Sequence, residues 1–317
     1  HVALHIALVE TIYQELFPAL EHIETVLQDK AQEWMPIIKS GRTHLQDAVP
    51  LRLGQEIGGF VAAIRYWHQQ VQKGLDGLYE IGMGANAVGT GINAHPRFME
   101  EAVRAVAKKT GKPFVPAANP FMFVQNVDAV LQMSGALRGL ATAMGKIAND
   151  LRLLSSGPRM GLGEIVLPAV QPGSSIMPGK VNPVMAEMMN MICYQVMGYD
   201  TTVQMATAGA QLELNVMMPV IAYNILQSVH IMSTGITTFT DKALIGMQAQ
   251  IESIAGRIEF NTSLATALNP YIGYERAAEV AKKAYQENKS VRQVVQELGW
   301  MDEKTLNEAL DLQRLVP

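Results

Sequence analysis

The sequence predicts an all-α protein built mainly from long helices. Apolar residues recur every three or four positions through most of the chain, while the apolar–polar alternation typical of strands is nearly absent. Two stretches, 184–206 and 212–235, are apolar on more than one side, which is typical of helices buried inside a bundle. Helices of roughly 25–30 residues joined by short polar segments are normal in such bundles. We therefore expect a long-helix bundle.

The individual helices follow from this period in chain order. The first is predicted over 6–27 and ends before Pro36. The same spacing continues through 124–154. Within 212–235, Pro219 predicts a kink or a break, because proline lacks the N–H that the helix interior needs.

The character of the chain changes at about Asn261. Beyond it the predicted helices, "YERAAEVAKKAYQ" and "SVRQVVQEL", are shorter and more charged. We predict a central bundle domain over 1–260 and a small C-terminal helical domain over 261–317. The chain starts at His1, already inside a periodic pattern, so we expect that an N-terminal part is missing.

Composition limits the classes of function. Apolar residues make up 49% of the chain and charged residues 17%, which is lean for a monomer surface and indicates burial against partner chains. The net charge of −4 and the lack of a basic run argue against nucleic-acid binding. The sequence shows neither an apolar run of membrane-spanning length nor a signal-peptide layout. The single cysteine, Cys193, excludes an internal disulfide framework and a cysteine metal site, and we expect a reduced, cytoplasmic setting.

The segment "PGSSIMPGKVNP" (172–183) combines small polar groups with one cation. Its last two residues, Asn182 and Pro183, predict a helix start with Asn182 as the N-cap. Hydroxyls and an ammonium group at a helix N-terminus are suited to hold a carboxylate or a phosphate. A solvated surface turn is the alternative interpretation. A nucleotide-binding P-loop is excluded because the spacing is one residue too long and Val181 stands where serine or threonine is needed.

Two further polar residues are candidates for acid–base chemistry. His44 lies in "GRTHLQDAVP" (41–50), and Glu187 lies one turn into the helix that follows the loop. Either has an ordinary structural explanation, His44 as a hydrogen-bonded structural histidine and Glu187 as a partner of the helix dipole. Together with the loop, and without a metal motif, they favour an acid–base site for a small anionic substrate.

These segments resemble the fumarase/aspartase superfamily. "GSSIMPGKVNP" (173–183) is similar to the family signature, and "GRTHLQDAVP" is similar to a second shared segment. Four more segments resemble the fumarase and aspartase branch in the same order along the chain: "AVGTG" (87–91), "KIANDLRLLSSGPR" (146–159), "ELNV" (213–216) and "ALNPYIGY" (267–274). The resemblance implies a tetramer whose core is formed by long helices of four chains, with active sites shared between subunits.

The resemblance also assigns roles to residues of this chain. It implies that Ser174 removes the proton next to a substrate carboxylate, giving fumarate by reversible anti elimination. It implies further that Lys180, Asn182 and Ser175 bind substrate, with Lys180 and Asn182 stabilising the doubly negative aci-carboxylate. Thr43 and His44 complete the pocket from another chain, and Glu187 orients and charges His44. The implied partner is a small dicarboxylate, with no cofactor and no metal.

The leaving group is the remaining question. "DTTVQMATAGAQLELNVMMPVIAYNILQS" (200–228) looks more like the aspartate ammonia-lyases, whereas Met218 and "NPF" (119–121) are similar to fumarase. We therefore predict an L-aspartate ammonia-lyase, with class II fumarate hydratase as the alternative and a non-catalytic structural scaffold as a remote one. Members of the family carry a further segment upstream of His1 that helps hold the other end of the substrate, so we interpret this chain as a fragment.

Overall fold

The computed structural model describes residues 1–316, and 67% of the chain is helical, which confirms the predicted helical class. A π-helix covers Ile12–Leu16, another covers Thr240–Leu244, and a 3-10 helix covers Thr262–Leu268. The α-helices are Val2–Thr11, Phe17–Glu33, Leu53–Leu78, Asn86–Gly89, Phe98–Thr110, Pro120–Gln125, Asp128–Leu154, Val184–Ala208, Met218–Phe239, Ile251–Ile258, Asn269–Ile272, Tyr274–Glu287, Val291–Leu298, Glu303–Ala309 and Leu312–Leu315.

The first helical segment passes a proline without ending. Pro18 follows the π-turn Ile12–Leu16 and lies at the start of the helix Phe17–Glu33. Because proline offers no N–H, a regular α-turn would leave one carbonyl without its donor. A wider π-turn changes the hydrogen-bond spacing at this point, and the helix can therefore continue to Glu33.

The expectation for Pro219 was wrong. The helix begins at Met218, so Pro219 lies in its first turn rather than inside it. The first N–H groups of a helix have no partner within the helix, and proline is well tolerated there. The residues just before Met218 are not helical, and the predicted span of 212–235 is observed as Met218–Phe239.

The chain divides into two compact units, and the first comprises 1–26, 62–152 and 168–246. In this unit the helices Val184–Ala208 and Met218–Phe239 pack against each other. The second of them buries a stripe at helical spacing, formed by Ile221, Ile225, Val229, Met232, Ile236 and Phe239. The same two helices also expose large apolar side chains, namely Met191, Tyr194, Met205, Val220 and Tyr223.

A buried carboxylate joins two helices of this unit. Asp200 is 2% exposed and accepts hydrogen bonds from Ser134 Oγ at 2.6 Å, Arg138 Nη1 at 3.0 Å and Gln204 Nε2 at 2.5 Å. With three donors, the buried charge is fully partnered, which is the condition for tolerating it inside a protein.

The second unit comprises 27–61, 153–167 and 247–317. It contains an antiparallel hairpin of the strands Ile38–Thr43 and Gln46–Arg52, so the prediction that strands are nearly absent was wrong at this place. Short strand pairs also form between Ile165–Val166 and Gln248–Ala249 and, in the first unit, between Glu80–Ile81 and Val115–Pro116.

The C-terminal helices of the second unit share an apolar core. Its buried members are Leu264, Ala265, Leu268, Ala277, Val280, Ala284, Val291, Val294, Val295, Leu306, Ala309 and Leu310. The helix Val291–Leu298 begins with a capping box, in which Ser290 Oγ accepts from Gln293 N and Gln293 Oε1 accepts from Ser290 N. The predicted domain boundary after residue 260 stays a prediction.

Candidate active site

The loop 173–182 is closed by one side chain. Asn182 Nδ2 donates to the carbonyl oxygen of Gly173 at 2.8 Å. Gly173 lies so close to the returning chain that an added Cβ would be 1.8 Å from the Lys180 carbonyl oxygen. The loop encloses one side of an open depression of about 440 Å³, which is lined by Ala169, Val170, Gln171, Pro172, Gly173, Ser174, Gly179, Lys180 and Val181.

Asn182 therefore does not act as the predicted N-cap. The following helix, Val184–Ala208, has Pro183 in the capping position and no side-chain cap. The amide of Asn182 faces back to Gly173 instead of toward the first turn of the helix. The helix start was placed correctly to within a residue or two, but the role of Asn182 is to fix the loop.

Ser174 is half-buried and receives two backbone hydrogen bonds. Its Oγ accepts from the N–H of Met177 at 3.1 Å and from the N–H of Ile176 at 3.3 Å. A serine hydroxyl is a weak base at its ordinary pKa and needs activation. Because amide dipoles that point at an oxygen stabilise negative charge on it, these two donors favour a deprotonated Ser174.

Lys180 presents a cation without a carboxylate partner. Its side chain is exposed, and within residues 1–316 it makes no ion pair or side-chain hydrogen bond. The exposed Ser175 hydroxyl is likewise without a hydrogen bond in this part of the chain. An unpaired ammonium group beside free hydroxyls is suited to bind an anion such as a carboxylate.

Glu187 lies in the first turn of the helix Val184–Ala208, next to an arginine. Its Oε1 is 3.8 Å from Arg152 Nη2, while Arg152 Nη1 donates to Asn190 Oδ1 at 3.2 Å. Asn190 is buried, and its own amide donates to the Gly145 carbonyl at 3.0 Å. Arg152 is thus held in place by a buried residue and presents its second nitrogen to Glu187.

Thr43 and His44 lie together at the tip of the hairpin. His44 and Leu45 form a two-residue turn with φ values of 54° and 58°, a left-handed conformation that non-glycine residues rarely adopt. Both Thr43 and His44 are exposed, and within residues 1–316 their side chains make no hydrogen bond or ion pair. The structural alternative for His44, a histidine held by internal hydrogen bonds, is therefore wrong for this chain.

The structure brings the predicted residues together in two groups. Ser174, Ser175, Lys180 and Asn182 share the loop of the first unit, and Glu187 lies on the helix that begins directly after it. Thr43 and His44 share the hairpin tip of the second unit.

Sequence reasoning missed the residues that support these groups. Asn190 interrupts an apolar helix, and a buried amide in such a place must find partners, which is the signal that was available. Arg152 lies in a segment that we used only for resemblance. Glu164, which pairs with Lys39 and Arg42 of the hairpin, is more than a hundred positions away in sequence and carried no signal.

Other kinds of site receive no support from the described residues. Burial raises the pKa of the Cys193 thiol to about 12, so this cysteine is not suited to act as a nucleophile. Within residues 1–316, no three His, Cys, Asp or Glu side chains are grouped as a metal site would require. The same part of the chain contains no helix with the length and apolar character needed to cross a membrane.

Comparison with known families and proteins gives a consistent result. A family model described as "Lyase" matches residues 1–198, and a model described as "Fumarase C C-terminus" matches residues 264–317. The curated fumarate hydratase class II of Thermosynechococcus vestitus is 48% identical over 299 residues, covering 94% of this chain and 64% of the relative. The chain thus spans about two thirds of the length of this relative.

Solved structures with the same fold lead to the same group. A class II fumarase from Schistosoma mansoni matches with a TM-score of 0.93 and 36% identity, covering 98% of this chain and 68% of the other. A Brucella melitensis structure described as fumarate lyase:delta crystallin bound to cobalt matches with a TM-score of 0.95 and 42% identity, covering 100% of this chain and 68% of the other.

Proposed function

This chain belongs to the fumarase/aspartase superfamily of lyases, and from that membership we propose that the complete protein is a class II fumarate hydratase, which interconverts L-malate and fumarate. The observation that carries the choice is the 48% identity, over 94% of this chain, to a protein of that name. It favours the fumarase alternative over the aspartate ammonia-lyase that we predicted from the sequence. The resemblance of segment 200–228 to ammonia-lyases keeps L-aspartate as the second candidate substrate.

In the proposed reaction Ser174 starts the elimination. Its deprotonated Oγ takes the proton from the carbon next to one carboxylate of L-malate, and the electron pair of that C–H bond moves into the carboxylate. The doubly negative aci-carboxylate that results needs cationic and hydrogen-bonding partners. We assign this role to the free ammonium group of Lys180 and the amide of Asn182.

The second half of the reaction expels water. The electron pair returns to form the C=C bond of fumarate, and the hydroxyl leaves after it has received a proton. Thr43 and His44 contribute to the carboxylate pocket from another chain, while Ser175 adds a hydroxyl from the loop. Glu187, kept ionised by Arg152, would orient and charge His44.

Assembly is part of the proposal, because shared sites need more than one chain. The helices Val184–Ala208 and Met218–Phe239 expose Met191, Tyr194, Met205 and Tyr223, each at least 59% exposed. Apolar side chains in this number on adjacent helices are typical of faces that pair with other chains. We propose a homotetramer, and sedimentation of the complete protein as a stable monomer at micromolar concentration would contradict it.

The test of function is a comparison of two substrates. The complete protein is supplied with L-malate or L-aspartate, and fumarate is followed by its ultraviolet absorbance. We expect kcat/KM for L-malate to exceed that for L-aspartate at least about tenfold, a transition-state preference of about 1.4 kcal/mol. The reverse preference would support the ammonia-lyase, and no turnover of either substrate would support the structural scaffold.

A further inference from the structure

The position of the Thr43–His44 turn is not set by its own side chains. Neither side chain has a hydrogen-bond or ion-pair partner within residues 1–316, and the turn residues His44 and Leu45 have the strained positive φ values described above. Strained backbone persists only where the surrounding structure holds it. The groups that hold this turn must therefore lie farther down the hairpin.

The strand that leads into the turn carries two buried ion pairs. Lys39 is 2% exposed, and its Nζ donates to Glu56 Oε2 at 2.8 Å. The same Nζ lies 2.6 Å from Glu164 Oε2 as an ion pair without hydrogen-bond geometry. Glu164 Oε1 accepts from Arg42 Nη1 at 2.6 Å. Glu164 thus binds both cations of the strand, and two positive charges face two negative ones.

Glu164 is itself a fixed point. It is 2% exposed, its N–H donates to the Leu154 carbonyl at 2.8 Å, and its carbonyl accepts from Gln250 N at 2.8 Å. With both backbone groups bonded, the direction of the carboxylate is restricted. Arg42 directly precedes Thr43 and pairs in register with Asp47, so its contact with Glu164 is next to the turn.

A second anchor acts on the lower part of the hairpin. Asn261 is 2% exposed, and its Nδ2 donates to Ser40 Oγ at 2.9 Å and to the Ala48 carbonyl at 2.7 Å. It therefore bridges the two strands beside the irregularity between Ser40 and Gly41. Asn261 does not contact Arg42 or the turn, which leaves Arg42 and Glu164 to fix the tip from the first strand.

We infer that Glu164, acting through Arg42, is a positioning residue for the Thr43–His44 turn. Removing charges from water costs free energy, so a buried ion pair is a poor source of stability compared with apolar packing of the same volume. Its advantage is geometry, because a guanidinium bonded to a fixed carboxylate has little freedom. The inference rests on the proposed function, since it explains how a residue of the proposed site is held in place.

The test uses Arg42, because its loss leaves the pair of Lys39 with Glu56 and Glu164 intact. In the complete protein, Arg42→Met and Glu164→Gln should each lower kcat/KM for L-malate at least about tenfold, because an active-site group displaced by an ångström loses about this much or more. Arg42→Lys, which can still reach Glu164 with a point charge, should recover most of the loss.

The matched control is Arg138→Met. Arg138 also donates through Nη1 to a buried carboxylate, Asp200, that keeps two other donors. The control should stay within about twofold of the wild type. Backbone amide exchange at residues 43–46 should accelerate in Arg42→Met and Glu164→Gln but not in Arg138→Met.

Three results would overturn the inference. They are an unchanged kcat/KM in Arg42→Met, an equal loss in Arg138→Met, and unchanged amide exchange at the turn in Glu164→Gln. If the wild type does not turn over L-malate, the proposed function fails, and the exchange measurement alone then decides whether Glu164 fixes the turn. If Glu164→Gln does not fold, the Arg42 variants carry both measurements.

Discussion

The side-chain amide of Asn182 donates to the carbonyl oxygen of Gly173, nine positions earlier, at 2.8 Å. This hydrogen bond draws the two ends of the loop together, so that Ser174 and Lys180 line the same depression. A loop held by a single side-chain bond depends on close backbone approach at the point of closure. Gly173 supplies that approach.

The first prediction is that Gly173→Ala disables the site without unfolding the protein. The added Cβ would lie 1.8 Å from the Lys180 carbonyl oxygen, so the loop must open. Displacement of catalytic groups by about 1 Å costs on the order of 10²-fold in rate, and we expect kcat/KM for L-malate to fall by this factor. The melting temperature should change little because the loop is largely exposed. Gly256→Ala, where no atom lies within 4 Å, is the control and should keep full activity.

The second prediction separates two roles of Ser174. Its hydroxyl is the proposed base, but it also accepts two backbone hydrogen bonds that shape the loop. Ser174→Ala removes both roles and should lower kcat by about 10²–10⁴-fold or more. Ser174→Asn keeps an acceptor for the amides but offers no hydroxyl, and it should be equally inactive. Recovery of activity in Ser174→Asn would mean that Ser174 acts only as a turn residue.

The sequence predicted the long helices because their cores repeat at helical spacing. The stripe of Ile221, Ile225 and Val229 is an example, since burial and period coincide there. Pro219 was misjudged because period alone does not fix where a helix begins, and a proline is unfavourable inside a helix but acceptable in its first turn.

The hairpin was missed for a different reason. Two-residue hairpin turns are usually recognised by Asn-Gly or Asp-Gly, whereas His44 and Leu45 form this one with positive φ values. Pro50 and the irregularity at Ser40 hide the strand pattern further. A turn that its own residues do not favour must be held by distant contacts, such as Glu164 to Arg42, which no local pattern reveals.

The third prediction concerns stability at low pH. Burial lowers the pKa of His5 from 6.5 to about 4, although its Nδ1 lies 3.1 Å and 3.0 Å from the Leu78 and Glu80 carbonyl oxygens. The unfolded chain therefore binds a proton on His5 before the folded chain does. Stability is lost as the pH falls below the unfolded value, and the loss is complete below about 4. Between pH 7 and pH 5 we expect His5 to reduce the free energy of unfolding by about 2 kcal/mol.

The measurement is denaturant unfolding at both pH values, with His5→Asn as the comparison. An asparagine amide can donate to the same carbonyls but does not titrate, so the variant should lose less stability than the wild type over this range. Equal losses in the two proteins would show that other groups cause the acid sensitivity.

The last prediction tests whether sites are shared between chains. Ser174 and His44 each lie in a group of their own on this chain, and we propose that a working site takes them from different subunits. Ser174→Ala and His44→Asn should each be inactive as pure proteins. After the two are mixed, dissociated and reassembled, random association should give about a quarter of the sites a serine from one chain and a histidine from another. Activity should therefore return to about that fraction of the wild type. A mixture of Ser174→Ala with Lys180→Met is the matched control, because both residues belong to the same loop and no reassembled site can contain both intact. Recovery in the control as well as in the test, or in neither, would contradict the shared site.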